Sequence, residues 1–321
     1  MTDSVASTAL VDAVRRGDRG ALARLLSIVE AGGDDARVAL AELPVTAADA
    51  AWTIGVTGAP GAGKSTLTAG LVRHLRARGA RIGVLAVDPS SPFTGGAILG
   101  DRVRMHDHTT DPDVFIRSMA TRGHQGGLAL AVPQAVRVLA AAGHDWIVVE
   151  TVGVGQVELE VAGTADTTVV VVNPRWGDGV QAAKAGLLEI GDVFVVNKAD
   201  RDGVAATVKD LQGMLDLAGA LPWRPPVLET VATADRGVDA LLDAVVAHRA
   251  SLEGSEELVA RRERRIADEI RGLVLDRLIK QADGVCSGTR FATVVRGVAE
   301  GTSDPDTAAT SLIRGADGGE A

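Results

Sequence analysis

The chain has 321 residues, 46% of them apolar, and a formal net charge of −9, enough for one α/β domain of ordinary size plus roughly a hundred residues of additions. The acidic balance, with 2% aromatics and no Tyr, argues against a nucleic-acid interface, which needs basic patches and stacking rings. The single Cys286 excludes an internal disulfide, and with no secretory signal or apolar run long enough to span a membrane, a cytoplasmic setting is expected.

In chain order, Leu10, Val11 and Val14, then Leu22, Leu25 and Leu26, suggest two short helices, with Asp18 as the cap of the second. Gly32 to Asp35 breaks that pattern. The run Trp52 to Thr57 is apolar and β-prone, and Thr66 to Leu75 has helical spacing. Further strands are expected at Ile82–Val87, Val114–Arg117, Trp146–Val149, Thr168–Asn173, Val193–Val196 and, after the Pro-rich turn Pro222 to Pro226, Val227–Thr230. The first five are mostly continuous in apolar character, as strands buried on both faces are. Helical spacing fills Val132 to Ala142, Val180 to Leu188 and Val204 to Leu217. The alternation predicts a doubly wound, mostly parallel α/β domain. It is expected over 51–253, after an N-terminal helical extension, 1–50, and before a C-terminal helical arm, 254–321. In that arm, Glu256 to Gln281 is charge-dense but carries an apolar stripe through Ile266, Ile270, Leu273, Val274 and Leu278. The stripe packs back on the core or docks on a second subunit. Arg261 to Arg265 is read as a solvated helix face, and Ser303 to Ala308 as a loop feeding a short terminal helix.

Four motifs carry chemistry. Gly58, Ala59, Pro60, Gly61, Ala62, Gly63, Lys64 and Ser65, followed by Thr66, form a phosphate-binding loop between a strand and a helix. Its backbone N–H groups and the helix N-terminus cradle phosphate, Lys64 reaches the β- and γ-phosphates, and the Ser65 hydroxyl binds Mg²⁺. Asn197-Lys-Ala-Asp200 follows a strand. The Asp200 carboxylate there can accept from the N1 and 2-amino donors of guanine, a pair that adenine lacks, while Asn197 and Lys198 brace the pocket. This favours GTP over ATP. In Glu150-Thr-Val-Gly-Val-Gly-Gln156, Glu150 is either a strand-end surface residue or a holder of Mg²⁺ or its water. Gly153 can offer its N–H to a γ-phosphate, and Gln156 could orient the attacking water. The long loop Asp88 to Met105 begins at the strand edge where open sheets bind ligands. Asp88 and Asp101 could reach Mg²⁺ through water, or each could cap a helix.

Together these strings resemble the MeaB/ArgK family of P-loop GTPases, which includes the methylmalonic aciduria type A protein. The likeness also rests on Ser118-Met-Ala-Thr-Arg-Gly123 and Trp223-Arg-Pro-Pro-Val227, and it covers nearly the whole chain. It implies a GTP-hydrolysing chaperone of an adenosylcobalamin-dependent acyl-CoA mutase, gating cofactor loading and protecting the mutase. Methylmalonyl-CoA mutase is the foremost partner. By motif match, Lys64 and Ser65 serve phosphate and Mg²⁺. Asp88, Asp101 and Glu150 serve Mg²⁺ and switching, and Asn197, Lys198 and Asp200 serve guanine. The resemblance further implies a homodimer through the C-terminal helices, and a mobile relay over Asn173 to Gly179 with Gln181 and Lys184. Two positions depart from the family pattern: Gln125, and Val231 in the base-contacting loop Thr230-Val231-Ala232, where Thr-Ser-Ala is usual. The alternatives are a metallochaperone GTPase and a small-molecule or arginine/ornithine-transport kinase or ATPase.

Overall fold

The computed structural model describes residues 2–88, 108, 110–120, 127–151, 163–174, 189–217, 219 and 221–317. Helices α1 (Thr2–Arg15), α2 (Arg19–Ala31) and α3 (Gly33–Ala41) come first. Asp18 caps α2 as expected, its carboxylate accepting from the Ala21 N–H at 2.8 Å. The break expected over Gly32 to Asp35 is narrower, and α3 starts at its second residue. Asp34 and Asp35 lie in the first turn of α3, where carboxylates complement the helix's positive end. A Gly-Gly pair followed by two acids reads as a loop, so the third helix was missed.

Strands β1 (Trp52–Gly58), β2 (Ile82–Asp88), β3 (Val114–Ala120), β4 (Trp146–Thr151), β5 (Thr167–Val172), β6 (Val193–Asn197) and β7 (Val227–Thr230) follow. Among the described residues they form one sheet of order β3-β2-β4-β1-β5-β6-β7, with every pairing parallel. Parallel neighbours need crossovers, and the crossover helices cover both faces, which is why the inner strands are mostly apolar. On one face, helices α4 (Lys64–Ala77) and α7 (Val238–Leu252) pack on Ile54, Val56, Val84, Val148, Val171 and Val195. On the other, α5 (Gly127–Ala141) joins α1–α3 over Leu85, Val87, Ile147 and Val149. There too α6 (Val204–Leu217) packs on Val170, Val172, Phe194 and Val196. Neighbouring strand residues thus part to opposite faces. The expected helix Val180 to Leu188 lies outside the described residues.

The chain ends in α8 (Glu256–Val285), α9 (Gly288–Ala299) and α10 (Pro305–Asp317). It divides into two compact units, Met1–Ala267 and Asp268–Ala321. Within the first, the start of α8 corrects the solvated reading of Arg261 to Arg265. Arg261 Nη2 lies 3.0 Å from Asp192 Oδ1, Arg265 Nη2 2.9 Å from Asp166 Oδ1, and Arg262 Nη1 2.9 Å from Asp49 Oδ1. Only Arg264 of the four is mostly exposed. The cause is the sheet's amino edge. Asp166 and Asp192 accept the Thr53 and Thr168 N–H groups at 2.9 and 2.8 Å, and buried carboxylates require counter-charges. Burial opposes the Arg261 charge, but its bonds to Asp192 and Glu257 outweigh that and push its pKa up.

Within the second unit, α9 was not foreseen, although Phe291, Val294, Val295 and Val298 have helical spacing. These residues, with Leu278 and Leu312, line an apolar groove of about 620 Å³. The α8 stripe residues Ile270, Val274 and Leu278 stay about half exposed. Among the described residues no helix is long and apolar enough to cross a membrane.

Candidate functional site

Because the sheet is parallel, the ends of β1, β4, β6 and β7 share its carboxyl edge, where open α/β sheets bind ligands. Gly58 closes β1 at φ 131, and a Cβ there would strike the Val171 carbonyl. Only glycine allows β1 to approach β5 this closely. Gly63, at φ 94, precedes α4, and a Cβ on it would meet the Asn197 amide. Ala59, Pro60, Gly61 and Ala62 span the turn between them. With α4 starting at Lys64, its first-turn N–H groups and positive end face the loop. Lys64 is buried, and its Nζ donates to the Gly58 and Ala59 carbonyls at 2.6 and 3.2 Å. The ammonium is thereby held against the loop, where phosphate oxygens would be met.

The register Val56↔Glu150 brings Glu150 of β4 beside this loop. Its carboxylate is fully buried and accepts the Ser65 hydroxyl at 2.5 Å, so the surface-residue alternative is overturned. A hydroxyl and a buried carboxylate converging at a helix N-terminus are the oxygen donors a hard cation takes, and they fit Mg²⁺. Thr66 follows, half-buried in the first turn of α4. Asp88 ends β2 at the same edge. Its side chain, with Asp101, Gly153, Gln156, Gln125 and Lys184, lies outside the described residues.

Asn197, at the end of β6, joins the loop to the other half of the site. Its Nδ2 donates to the Ala62 carbonyl at 2.8 Å, and its Oδ1 accepts from Thr230 Oγ1 at 3.0 Å and the Ala232 N–H at 3.2 Å. These partners fix which end of the amide is which. Lys198 takes a left-handed backbone, φ 61, and its Nζ donates to the Gly61 carbonyl at 2.6 Å. The Ala199 N–H donates to the Thr230 carbonyl at 2.9 Å, which holds Val231 and Ala232 beside the Asn197 turn. Asp200 is exposed there.

The structure thus gathers Lys64, Ser65, Glu150, Asn197, Lys198, Val231 and Ala232. Thr230, the first residue of the expected base-contacting loop, joins them through its bond to Asn197. One sheet edge bearing a glycine loop, a buried carboxylate and an Asn-Lys-x-Asp turn defines a P-loop nucleotide hydrolase.

The chain belongs to the family described as methylmalonyl Co-A mutase-associated GTPase MeaB, whose model matches residues 22–286. It is a GTPase of that family. It is 47% identical to a Pyrococcus abyssi protein that carries a provisional GTPase name, over 97% of each chain. Identity to the Escherichia coli GTPase ArgK is 35%, over 80% of each. Among solved structures, that of a LAO/AO transport system kinase matches with a TM-score of 0.70, at 25% identity and over 97% of both chains.

Proposed function

We propose that this chain is a Mg²⁺-dependent GTPase chaperone. In this reading it binds an adenosylcobalamin-dependent acyl-CoA mutase, methylmalonyl-CoA mutase foremost, and gates loading and protection of the mutase's cofactor. The observation that carries the GTPase half is the Asn197 side chain, which bonds the phosphate loop and the Thr230–Ala232 turn at once. One polar group therefore sets the spacing between a triphosphate and its base. The family's description as mutase-associated supports the partner.

In this reading Lys64 and the α4 N-terminus hold the β- and γ-phosphates, and Asp200 selects guanine. Ser65 and Glu150, joined by Asp88 and Asp101, would hold Mg²⁺, which when bound compensates charge on the phosphate oxygens. Phosphoryl transfer to water then needs positioning and charge compensation and no covalent group on the protein. The half-exposed α8 stripe and the apolar groove beside it support a homodimer through the C-terminal helices. The name of the LAO/AO kinase keeps a transport-associated kinase as the alternative, against which the Asn197–Asp200 turn favours guanine.

The test is phosphate release at saturating GTP, with and without methylmalonyl-CoA mutase. Slow turnover that rises when the mutase is added is expected, since a partner that orders the site accelerates it. An unchanged rate, with no complex on a sizing column, rejects the chaperone half and leaves the GTPase.

A further inference from the structure

Beyond the loop and the Asn197 turn, a charged cluster on α4 reaches the base side of the site. The segment after β7 is a tight turn. The Val231 N–H donates to the Arg236 carbonyl at 3.0 Å, and the Arg236 N–H returns to the Val231 carbonyl at 3.3 Å. Between them Asp235 adopts φ 54. Among the described residues Lys198 and Asp235 are the non-glycine positions with positive φ, and both flank the proposed base pocket. A left-handed backbone at a non-glycine residue persists only where its surroundings hold it. Here α4 does so. Arg73 Nη1 lies 3.0 Å from Asp235 Oδ1, and His74 Nε2 lies 3.2 Å from Asp235 Oδ2. Gly70, on the same face of α4, would carry a Cβ 3.4 Å from Asp235 Oδ1 and 3.3 Å from Val238 Cγ1, so its missing side chain lets the turn sit close. Positions 70, 73 and 74 share one face because residues three and four apart on a helix are neighbours.

We propose that Asp235 is a positioning residue for base selection. Its pairing with Arg73 and His74 locks the turn carrying Val231 and Ala232 to α4, the helix whose other end holds the phosphates. The phosphate helix and the base turn then move as one body, and the spacing set through Asn197 is secured from a second side. A loosened turn would still leave the phosphate loop intact. The pair therefore governs which base is held and leaves phosphate affinity alone. This rests on the reading of Asn197 to Asp200 as a guanine pocket.

The test uses the full-length chain with fluorescent methylanthraniloyl-GDP and methylanthraniloyl-ADP. Asp235→Asn is the first variant, because Asn tolerates the left-handed region and keeps the side chain's shape while removing the charge and exchanging one acceptor oxygen for an NH₂ donor. GDP binding is expected to weaken about five-fold, equal to about 1 kcal/mol, while ADP binding stays within two-fold, so the GDP-over-ADP ratio falls. The double variant Arg73→Ala/His74→Ala on the partner helix is expected to lower the ratio equally, and combining it with Asp235→Asn to add nothing further. An unchanged ratio in Asp235→Asn overturns the proposal. If that variant does not fold, an unchanged ratio in the α4 double variant overturns it instead. Equal weakening of both nucleotides also overturns it, since that is a loss of general stability. A wild-type chain that binds GDP and ADP alike rejects the guanine reading beneath it, a result distinct from these.

Discussion

Lys64 has no solvent to return to. It is buried, with its ammonium on the carbonyls of its own loop. Lys64→Ala is expected to abolish GTP hydrolysis, because phosphoryl transfer depends on charge placed before the reaction begins. Phosphate release near the wild-type rate, from protein freed of contaminating phosphatase, would refute that role. Asp200 is the opposite case, exposed and available to a base. Asp200→Asn is expected to weaken GTP and to favour xanthosine triphosphate, whose 2-oxo group accepts where guanine donates. Sites built to pair one donor reject analogues lacking it by large factors. Competition binding with both nucleotides checks this, and an unaltered preference for GTP removes Asp200 from the base pocket. The residues of the phosphate loop and of the Asn197 turn were legible because each motif is contiguous. The bond from Asn197 to Ala62 joins residues 135 positions apart, and such a bond has no local signature. The same holds for Arg73 and His74, ordinary polar helix residues until the fold sets Asp235 beside them.

At the scale of elements, the inner strands were readable because burial on both faces makes each a short apolar run, whereas β7, only partly buried at the sheet's edge, was marked by the Pro-rich turn before it. The beginning of α8 was misread for a physical reason. A cluster of arginines among glutamates is solvated unless carboxylates wait beneath it, and Asp166 and Asp192 are 99 and 69 positions from their guanidinium partners. This attachment separates two truncations. Deleting Asp268 onward is expected to turn a dimer into a monomer while the unit Met1–Ala267 stays folded, since that unit keeps all three arginines. Deleting Glu256 onward also strips the counter-charges from Asp166 and Asp192. Breaking a buried pair by removing one partner costs about 3–5 kcal/mol, so urea midpoints should drop sharply for the longer deletion alone. Light scattering and urea unfolding on the three proteins decide it. A full-length chain that is already monomeric removes the dimer, and equal midpoints for the two truncations remove the stabilising role of the arginines.

At the scale of the whole molecule, two buried histidines make stability depend on pH. Burial pushes the pKa of His144 down, against a 2.9 Å contact from its Nδ1 to the Leu139 carbonyl. Burial likewise lowers His248 and outweighs the attraction of Asp192, whose Oδ1 lies 3.3 Å from Nε2. The Trp52 indole donates to Thr167 Oγ1 at 2.9 Å, and that oxygen lies 2.9 Å from His248 Nδ1. Both rings take up protons less readily in the folded state than when unfolded, where they titrate near the ordinary value of 6.5. The unfolded state binds more protons below that pH, so stability is full above it and falls as pH drops. The fall is at most about 1.4 kcal/mol per pH unit for each ring. His144→Asn and His248→Asn should each flatten the decline in urea midpoint between about pH 7 and pH 5. An equally steep decline in both variants assigns it to carboxylates instead. The strand order has a further consequence, during synthesis. β1 lies between β4 and β5, so Trp52–Gly58 has no strand to bond with until residues 146–172 have left the ribosome. At about 5–20 residues per second, that wait is on the order of ten seconds. The helices before β1 wait as well, because the core they share includes α5. The half-made chain therefore exposes an apolar strand before it can hold a nucleotide.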